Sequence, residues 1–151
     1  ETRGAGIANS ISDGLDVWAG DIKSRPTGSL VADRTGQITQ YALTQLADRG
    51  NFFVEPGAEA YEGMVVGANN RDEDIDINIT KEKKLTNMRS ATADATVTLA
   101  KAHTLSLEEA LEFCGNDECV EVAPDVLRVR KVELSATDRK RAAARAKQMN
   151  K

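Results

Sequence analysis

The sequence predicts an α+β domain, a mixed and mostly antiparallel β-rich unit with two or three helices and a basic helical tail. Three observations carry this. Ile75, Ile77 and Ile79 alternate with Asp76, Asn78 and Thr80, the two-residue period of a half-buried strand. Ile38, Tyr41, Ala42 and Leu46 recur at the spacing of one helix face. Ser106 is followed three residues later by Glu109, the spacing of a capping box, which opens a second helix.

The elements follow in order. Residues 1–23 hold Gly4, Gly6, Gly14 and Gly20, with a candidate strand around Ile7 and Ile11 that cannot bury its own faces. Pro26 and Gly28 break the chain before a short strand over 29–32. The helix starting near Ile38 has a stop signal in Arg49-Gly50, a cation in the last turn and a glycine for a left-handed cap. Apolar runs over 52–54 and 60–66 are strand candidates, the second with Gly63 as a possible bulge. Asp72 to Asp74 form an acidic turn ahead of the isoleucine strand; no calcium-loop glycine and terminal glutamate follow, which makes it a solvated turn. Residues 81–93 are polar, and Thr96 to Leu99 resume as a strand. In the helix after Ser106, Leu107, Ala110 and Leu111 supply the buried face, and Gly115-Asn116 ends it. A strand over 119–122, a turn at Pro124-Asp125 and a last strand over 126–134 close the domain. The last strand's alternation slips, because Leu127 and Val129 share one parity and Val132 and Leu134 the other. A bulge near Arg130-Lys131 explains the slip, and so does a strand that ends early. From Ala136 onward, alanine, arginine, lysine and glutamine favour a helix with little apolar face, one that frays alone and orders on an anionic partner.

Charge is unevenly placed. The formal net charge of −4 hides a tail in which Arg139, Lys140, Arg141, Arg145, Lys147 and Lys151 face the single carboxylate of Asp138. An acidic body with a basic end points to a polyanion at that end. The stretch Lys81-Glu82-Lys83-Lys84-Leu85-Thr86-Asn87-Met88-Arg89 is the most chemically pointed. Lys81, Lys83, Lys84 and Arg89 suit phosphates, and Thr86 and Asn87 can donate to phosphate or sugar oxygens. Read from composition alone, it is equally a solvated connector. Neither loop nor tail contains an aromatic residue, so any nucleic-acid contact is directed to backbone and shape.

Several classes are excluded. The chain has no GxxxxGK[ST], GxSxG or HExxH pattern, and its one histidine, His103, has no partner for nucleophilic or metal chemistry. An enzyme site is therefore not expected. Cys114 and Cys119 stand five apart, outside zinc-knuckle and redox spacings, and read as cytoplasmic thiols. No apolar run approaches the roughly 20 residues of a membrane span, and no signal-peptide pattern is visible. A first residue Glu1 suggests a piece of a longer protein.

Five collinear stretches resemble the carboxyl-terminal domain of the BipA/TypA family of translational GTPases. They are GQITQYALTQLADRG from Gly36, EPGAEAYEGMVVGANNRDEDIDINIT from Glu55, KLTNMRSATADATVTL from Lys84, LSLEEALEF from Leu105 and DECVEVAPDVLRVRKVEL from Asp117. TRGAGIANSISDGLDVWAG from Thr2 resembles the end of the preceding domain shared with elongation factor G. The resemblance implies three parts: 1–23 as a remnant of that domain V, 24–135 as the carboxyl-terminal domain, and 136–151 as a basic tail. It also implies a cytoplasmic factor with its GTPase domain, GTP and Mg²⁺ upstream, tied to large-subunit assembly and stress-adapted growth. The implied partners are the ribosome, large-subunit rRNA, A-site tRNA and the other domains of its own chain, with no membrane. The family's polar loop, which reaches the peptidyl-transferase centre and tRNA end, maps onto Lys81 to Arg89. Lys81, Lys83, Leu85, Thr86, Asn87 and Arg89 match its usual pattern; Glu82 stands where glycine is common and Lys84 where glutamine is. The expected RNA contacts are Lys81, Lys83, Lys84, Thr86, Asn87, Arg89, Arg139, Lys140 and Arg141. The alternative is an interaction domain that docks on the GTPase body without touching RNA.

Overall fold

The computed structural model describes residues 6–18, 25–83 and 101–149. Its elements are β1 (Ser29–Ala32), β2 (Gly36–Gln37), α1 (Gln40–Leu46) running into a 3-10 turn (Ala47–Arg49), β3 (Gly50–Phe52), β4 (Glu59–Ala60), β5 (Met64–Asn69), β6 (Ile75–Ile77), α2 (Leu107–Phe113), β7 (Glu118–Val122), β8 (Leu127–Lys131) and α3 (Ala136–Met149). This is the expected α+β class. Residues 6–18 form neither helix nor strand, so the strand expected around Ile7 and Ile11 is absent there. The strand expected over 96–99 lies outside the described residues.

The main sheet runs β6-β1-β5-β8-β7, with β3 also pairing β5; a separate ribbon joins β2 to β4. Only β1 with β6 is parallel; the other pairs are antiparallel. Strand β5 is the hub. Its first half pairs with β8 through Met64 and Val65, and its second half pairs with β3 through Gly67 to Asn69. Along its other side lies β1, with the register shifting between Leu30 and Val31.

Alternation sends successive side chains of β1 and β5 to opposite faces. Leu30, Ala32, Met64 and Val66 join Ile38, Leu43, Ala60, Ile77 and Ile79 on one face. Val31 and Val65 join Ala110 and Val129 on the other. Helix α1 covers the first face and α2 the second, so β1 and β5 are apolar at almost every position, as strands with both faces covered must be.

The α1 helix starts at Thr39, whose hydroxyl accepts from the Ala42 amide at 3.1 Å. Ala42 and Leu43 are its buried pair and Leu46 packs against the same core, so the expected face holds at Ala42 and Leu46 and widens to take in Leu43. The expected left-handed cap at Gly50 is not formed. Gly50 has an extended backbone and begins β3, and the 3-10 turn delivers the chain directly into the sheet. Glycine is needed for a different reason: a Cβ there would stand 1.9 Å from the Ala68 carbonyl oxygen on β5. Gly63 lies in the turn before β5, not in a strand bulge, and divides the expected 60–66 strand into β4 and β5. Its φ of +86° and its approach to Leu134 Cα both require the missing side chain.

The α2 capping box is complete, with Glu109 N donating to Ser106 Oγ and Ser106 N to Glu109 Oε2. Its inner face is not the expected one. Ala110 is fully buried, but Leu107 and Leu111 are 43% and 60% exposed. Phe113, one turn beyond Ala110, takes the inward place and packs edge-on against Phe53 at 5.1 Å. Strands β7 and β8 pair in unbroken register from Glu118–Lys131 to Val122–Leu127. No bulge interrupts β8 at Arg130-Lys131. The alternation slips because Lys131 follows Leu127 and Val129 into the interior while Val132, past the strand's end, turns outward.

Candidate nucleic-acid interface

The polar loop leaves β6 through Ile79, which is buried, and Thr80, whose amide and hydroxyl donate to Asn78 Oδ1 at 3.0 and 3.1 Å. Thr39, the α1 cap, clamps the exit. Its amide donates to Ile79 O at 3.0 Å and its hydroxyl to Lys81 O at 2.6 Å. Beyond this clamp Lys81, Glu82 and Lys83 are exposed. Lys84, Thr86, Asn87 and Arg89 lie outside the described residues. Further along the chain, His103 N donates to Phe52 O of β3 at 3.0 Å. His103 is exposed and faces Glu109 Oε1 at 3.4 Å. The start of the loop is thus fastened to structured backbone, with Lys81 and Lys83 exposed beyond it.

In the tail, the first turn of α3 is fastened to the body. Ala136 N donates to Glu62 Oε1 at 3.0 Å. Arg139 donates to the carbonyls of Glu133 and Leu134 at 3.1 and 2.5 Å and pairs with Asp76; its side chain is only 16% exposed. Lys140 is 80% exposed and 4.0 Å from Asp76, and Arg141 is 69% exposed and 3.2 Å from Asp138. Of the three tail residues expected at RNA, Arg139 is committed to the domain itself, while Lys140 and Arg141 face outward. A cleft of about 300 Å³ separates Ala136, Arg139 and Ala143 of α3 from Val31, Asp74 and Asp117.

Across the cleft from α3 lies an ion-pair cluster that local sequence patterns barely show. The Lys131 ammonium, with a side chain 1% exposed, pairs with Asp74, with Asp117 at 2.7 Å and with Glu118 at 2.9 Å. Glu118, fully buried in its side chain, also accepts from Arg25 at 2.8 and 3.1 Å, from Ser29 Oγ at 2.6 Å and from Gly115 N at 2.9 Å. Arg25 lies over the Phe113 ring at 4.3 Å and donates to Phe113 O at 2.8 Å. Asp74, expected in a solvated turn, instead holds the Ser29 amide at 2.7 Å as well as Lys131.

Burial alone would raise the Glu118 carboxyl's pKa, but the hydrogen bonds from Arg25, Ser29, Gly115 and Lys131 outweigh it and hold it at about 2. Burial likewise opposes charge on Lys131, and its three carboxylates more than compensate, so its pKa is raised. Asp74, Asp117 and Glu118 bring carboxylate oxygens within 4.8 Å of one another, a spacing that suits a metal. Lys131 Nζ bonds all three, however, so the protein supplies the cation itself. Among the described residues no buried polar side-chain atom lacks a partner. The one sequence signal of this cluster is the lysine in the inward parity of β8.

Among the described residues, catalytic groups do not converge. Cys114 and Cys119 are free thiols, and burial pushes the Cys114 thiol's pKa up, away from the reactive thiolate. Tyr61 has a raised pKa, first from burial and then from its hydrogen bond to Glu121, and remains a neutral donor. Among the described residues no helix is long and apolar enough to cross a membrane.

Comparison with known proteins identifies the family. A family model described as the TypA/BipA C-terminal domain matches residues 27–136. The chain is 46% identical over 147 residues to the large ribosomal subunit assembly factor BipA of Bacillus subtilis, an alignment that covers 97% of this chain and 24% of that protein. It is 45% identical over 131 residues to the protein of the same name from Synechocystis, covering 87% of this chain and 22% of the other. With the Salmonella typhimurium protein of that name the identity is 42% over 142 residues, covering 93% and 23%. The chain therefore spans about a quarter of the length of these relatives. It belongs to the TypA/BipA family, within which it is a fragment carrying the C-terminal domain.

Proposed function

We propose that this chain is the ribosome-binding module of a TypA/BipA factor, which contacts large-subunit rRNA and A-site tRNA and performs no catalysis of its own. The observation that carries the reading is the clamped loop of a chain whose relatives are named large ribosomal subunit assembly factors. Thr39 fixes the loop's exit, and Lys81 and Lys83 are exposed beyond it. A rigid base under long cations lowers the cost of ordering them on phosphates. In this reading Lys81, Lys83, Lys84 and Arg89 neutralise phosphates, and Thr86 and Asn87 donate to phosphate or sugar oxygens. Lys140 and Arg141 add a contact from α3, and Arg139 fixes that helix against the domain. GTP and Mg²⁺ bind to the G domain of the complete factor, which works in the cytoplasm on ribosome assembly and stress-adapted translation.

A second reading has its own observation. Ile7, Ile11, Leu15, Val17 and Trp18 are 78–105% exposed, far more apolar surface than a short segment carries alone. This segment suits docking against another domain of the same factor, and the two readings assign different residues.

The test is co-sedimentation of the full-length factor with large ribosomal subunits over a salt series. Lys83→Ala with Arg89→Ala should weaken binding about tenfold and lower the log–log salt slope by about two, one for each phosphate that is no longer neutralised. Unchanged binding by that double variant removes the loop from the interface and favours docking on the GTPase body.

A further inference from the structure

The face of the sheet covered by α1 is not covered along its whole width. The core cluster on that face contains no residue of β7 or β8. In its place the β7–β8 end carries Tyr61, Glu121, Arg128 and Arg130, all half-buried. Arg128 and Arg130 have the parity opposite to Leu127, Val129 and Lys131, so both stand on this open face.

The constellation is organised by Glu121. Its two oxygens accept from Tyr61 Oη at 2.6 Å and from Arg130 Nε at 2.7 Å. Arg130 Nη1 also donates to the Lys131 and Val132 carbonyls at 3.0 and 3.4 Å, which fixes the guanidinium plane. Arg128 is the direct cross-strand neighbour of Glu121, where a pair would be natural. The carboxylate is already taken, and among the described residues Arg128 makes no hydrogen bond or ion pair. The result, among the described residues, is one uncommitted guanidinium beside one whose Nη2 has no partner and whose orientation is fixed. Their Cα atoms are roughly 7 Å apart, two residues along one strand. Two planar cations side by side on a firm sheet suit a run of backbone phosphates, which Arg recognises in a bidentate manner.

We propose that Arg128 and Arg130, with Glu121 as the group that positions Arg130 and Tyr61, form a second RNA-backbone contact of this domain, separate from the polar loop and from α3. The proposal rests on the ribosome-binding reading and adds a surface to it. The ligand is the phosphodiester backbone of large-subunit RNA. The patch has no free aromatic face set out for stacking, and its chemistry reads charge and spacing rather than base sequence.

The experiment uses the full-length factor and purified large subunits in a potassium chloride series, with Arg128→Ala, Arg128→Glu and Glu121→Gln beside the loop double variant. Arg128→Ala should weaken binding about fivefold and reduce the salt slope by about one. Arg128→Glu should weaken it further, by about twentyfold, because a repelling charge replaces an attracting one. Glu121→Gln keeps only one of the two acceptor oxygens that hold Arg130 and Tyr61 and should weaken binding about twofold by loosening the guanidinium that Glu121 positions. Arg128 makes no hydrogen bond or ion pair among the described residues, so the thermal melt of Arg128→Ala should match that of the unaltered factor, whereas Arg128→Glu, which sets two carboxylates opposite one another, should melt slightly lower. Affinity and slope for Arg128→Glu equal to those of the unaltered factor overturn the patch; if the loop variant still weakens binding, the proposed function stands without it. Weaker binding with an unchanged slope assigns the contact to a ribosomal protein and overturns it too. If the unaltered factor binds without salt dependence, both the patch and the loop reading fall.

Discussion

Lys131 carries a charge into a place where an isolated ammonium is costly, and three carboxylates surround it there. Removing the lysine leaves those carboxylates to repel one another. Lys131→Met should therefore destabilise the domain by about 3–5 kcal/mol, read as a lower urea midpoint with an unchanged slope. A loss below about 1 kcal/mol would mean that the cluster relaxes freely into water. The pH dependence follows from Glu118, whose carboxyl titrates at about 2 in the fold against an ordinary value of 4.5. A depressed carboxyl stabilises the folded state fully above its unfolded value, and the contribution is lost as pH falls from 4.5 towards 2. The raised Lys131 pKa acts in the opposite sense and loses its contribution only as pH rises above 10.5. Thermal melts from neutral pH down to the acid range should show this loss in the unaltered chain and a shallower loss in Glu118→Gln, which starts from lower stability.

At the scale of elements, the joins matter more than the interiors. Ser106→Ala removes one half of the α2 capping box and should cost about 1 kcal/mol by denaturant melting. Gly50→Ala should cost more, about 2 kcal/mol or above, since its methyl meets the β5 backbone at Ala68. A neutral Gly50→Ala would mean that β5 gives way at Ala68 and that the close approach does not require glycine. Elements defined by their own periodicity were legible in the sequence. The Ile75–Ile79 alternation, the Ser106–Glu109 cap and the helix before Arg49 are all present. What local pattern could not show was which side of an element meets what. Leu107 and Leu111 look inward by hydropathy, yet Phe113 wins the inward place because Phe53 lies opposite it. Lys131 reads as the end of a strand until Asp74 and Glu118 are brought to it, Asp74 from 57 residues away. Arg25 and Glu118, 93 residues apart, belong to the same hidden class. Of the candidate site, charge alone left the loop level with a solvated connector and grouped Arg139 with Lys140 and Arg141, whereas the inward turn of Arg139 depends on Asp76 across the fold.

Across the whole molecule, acidic and basic groups have separate tasks. Five carboxylates of the body are held by internal partners: Asp74, Asp117 and Glu118 by Lys131, Asp76 by Arg139, and Glu121 by Arg130 and Tyr61. Lys81, Lys83, Lys140, Arg141 and Arg128 are left at least partly open to solvent. A chain with a formal net charge of −4 can thus present cations outward to a polyanion. Binding should be steeply salt-dependent even though the net charge has the wrong sign. The most direct test compares the full-length factor with a version lacking residues 27–149 in salt-dependent co-sedimentation with large ribosomal subunits. This account predicts that the deletion lowers the log–log slope by about three or more and removes the factor's protection of RNA at the A site. An unchanged slope with unchanged protection would contradict it and leave the domain as a support for the rest of its own chain.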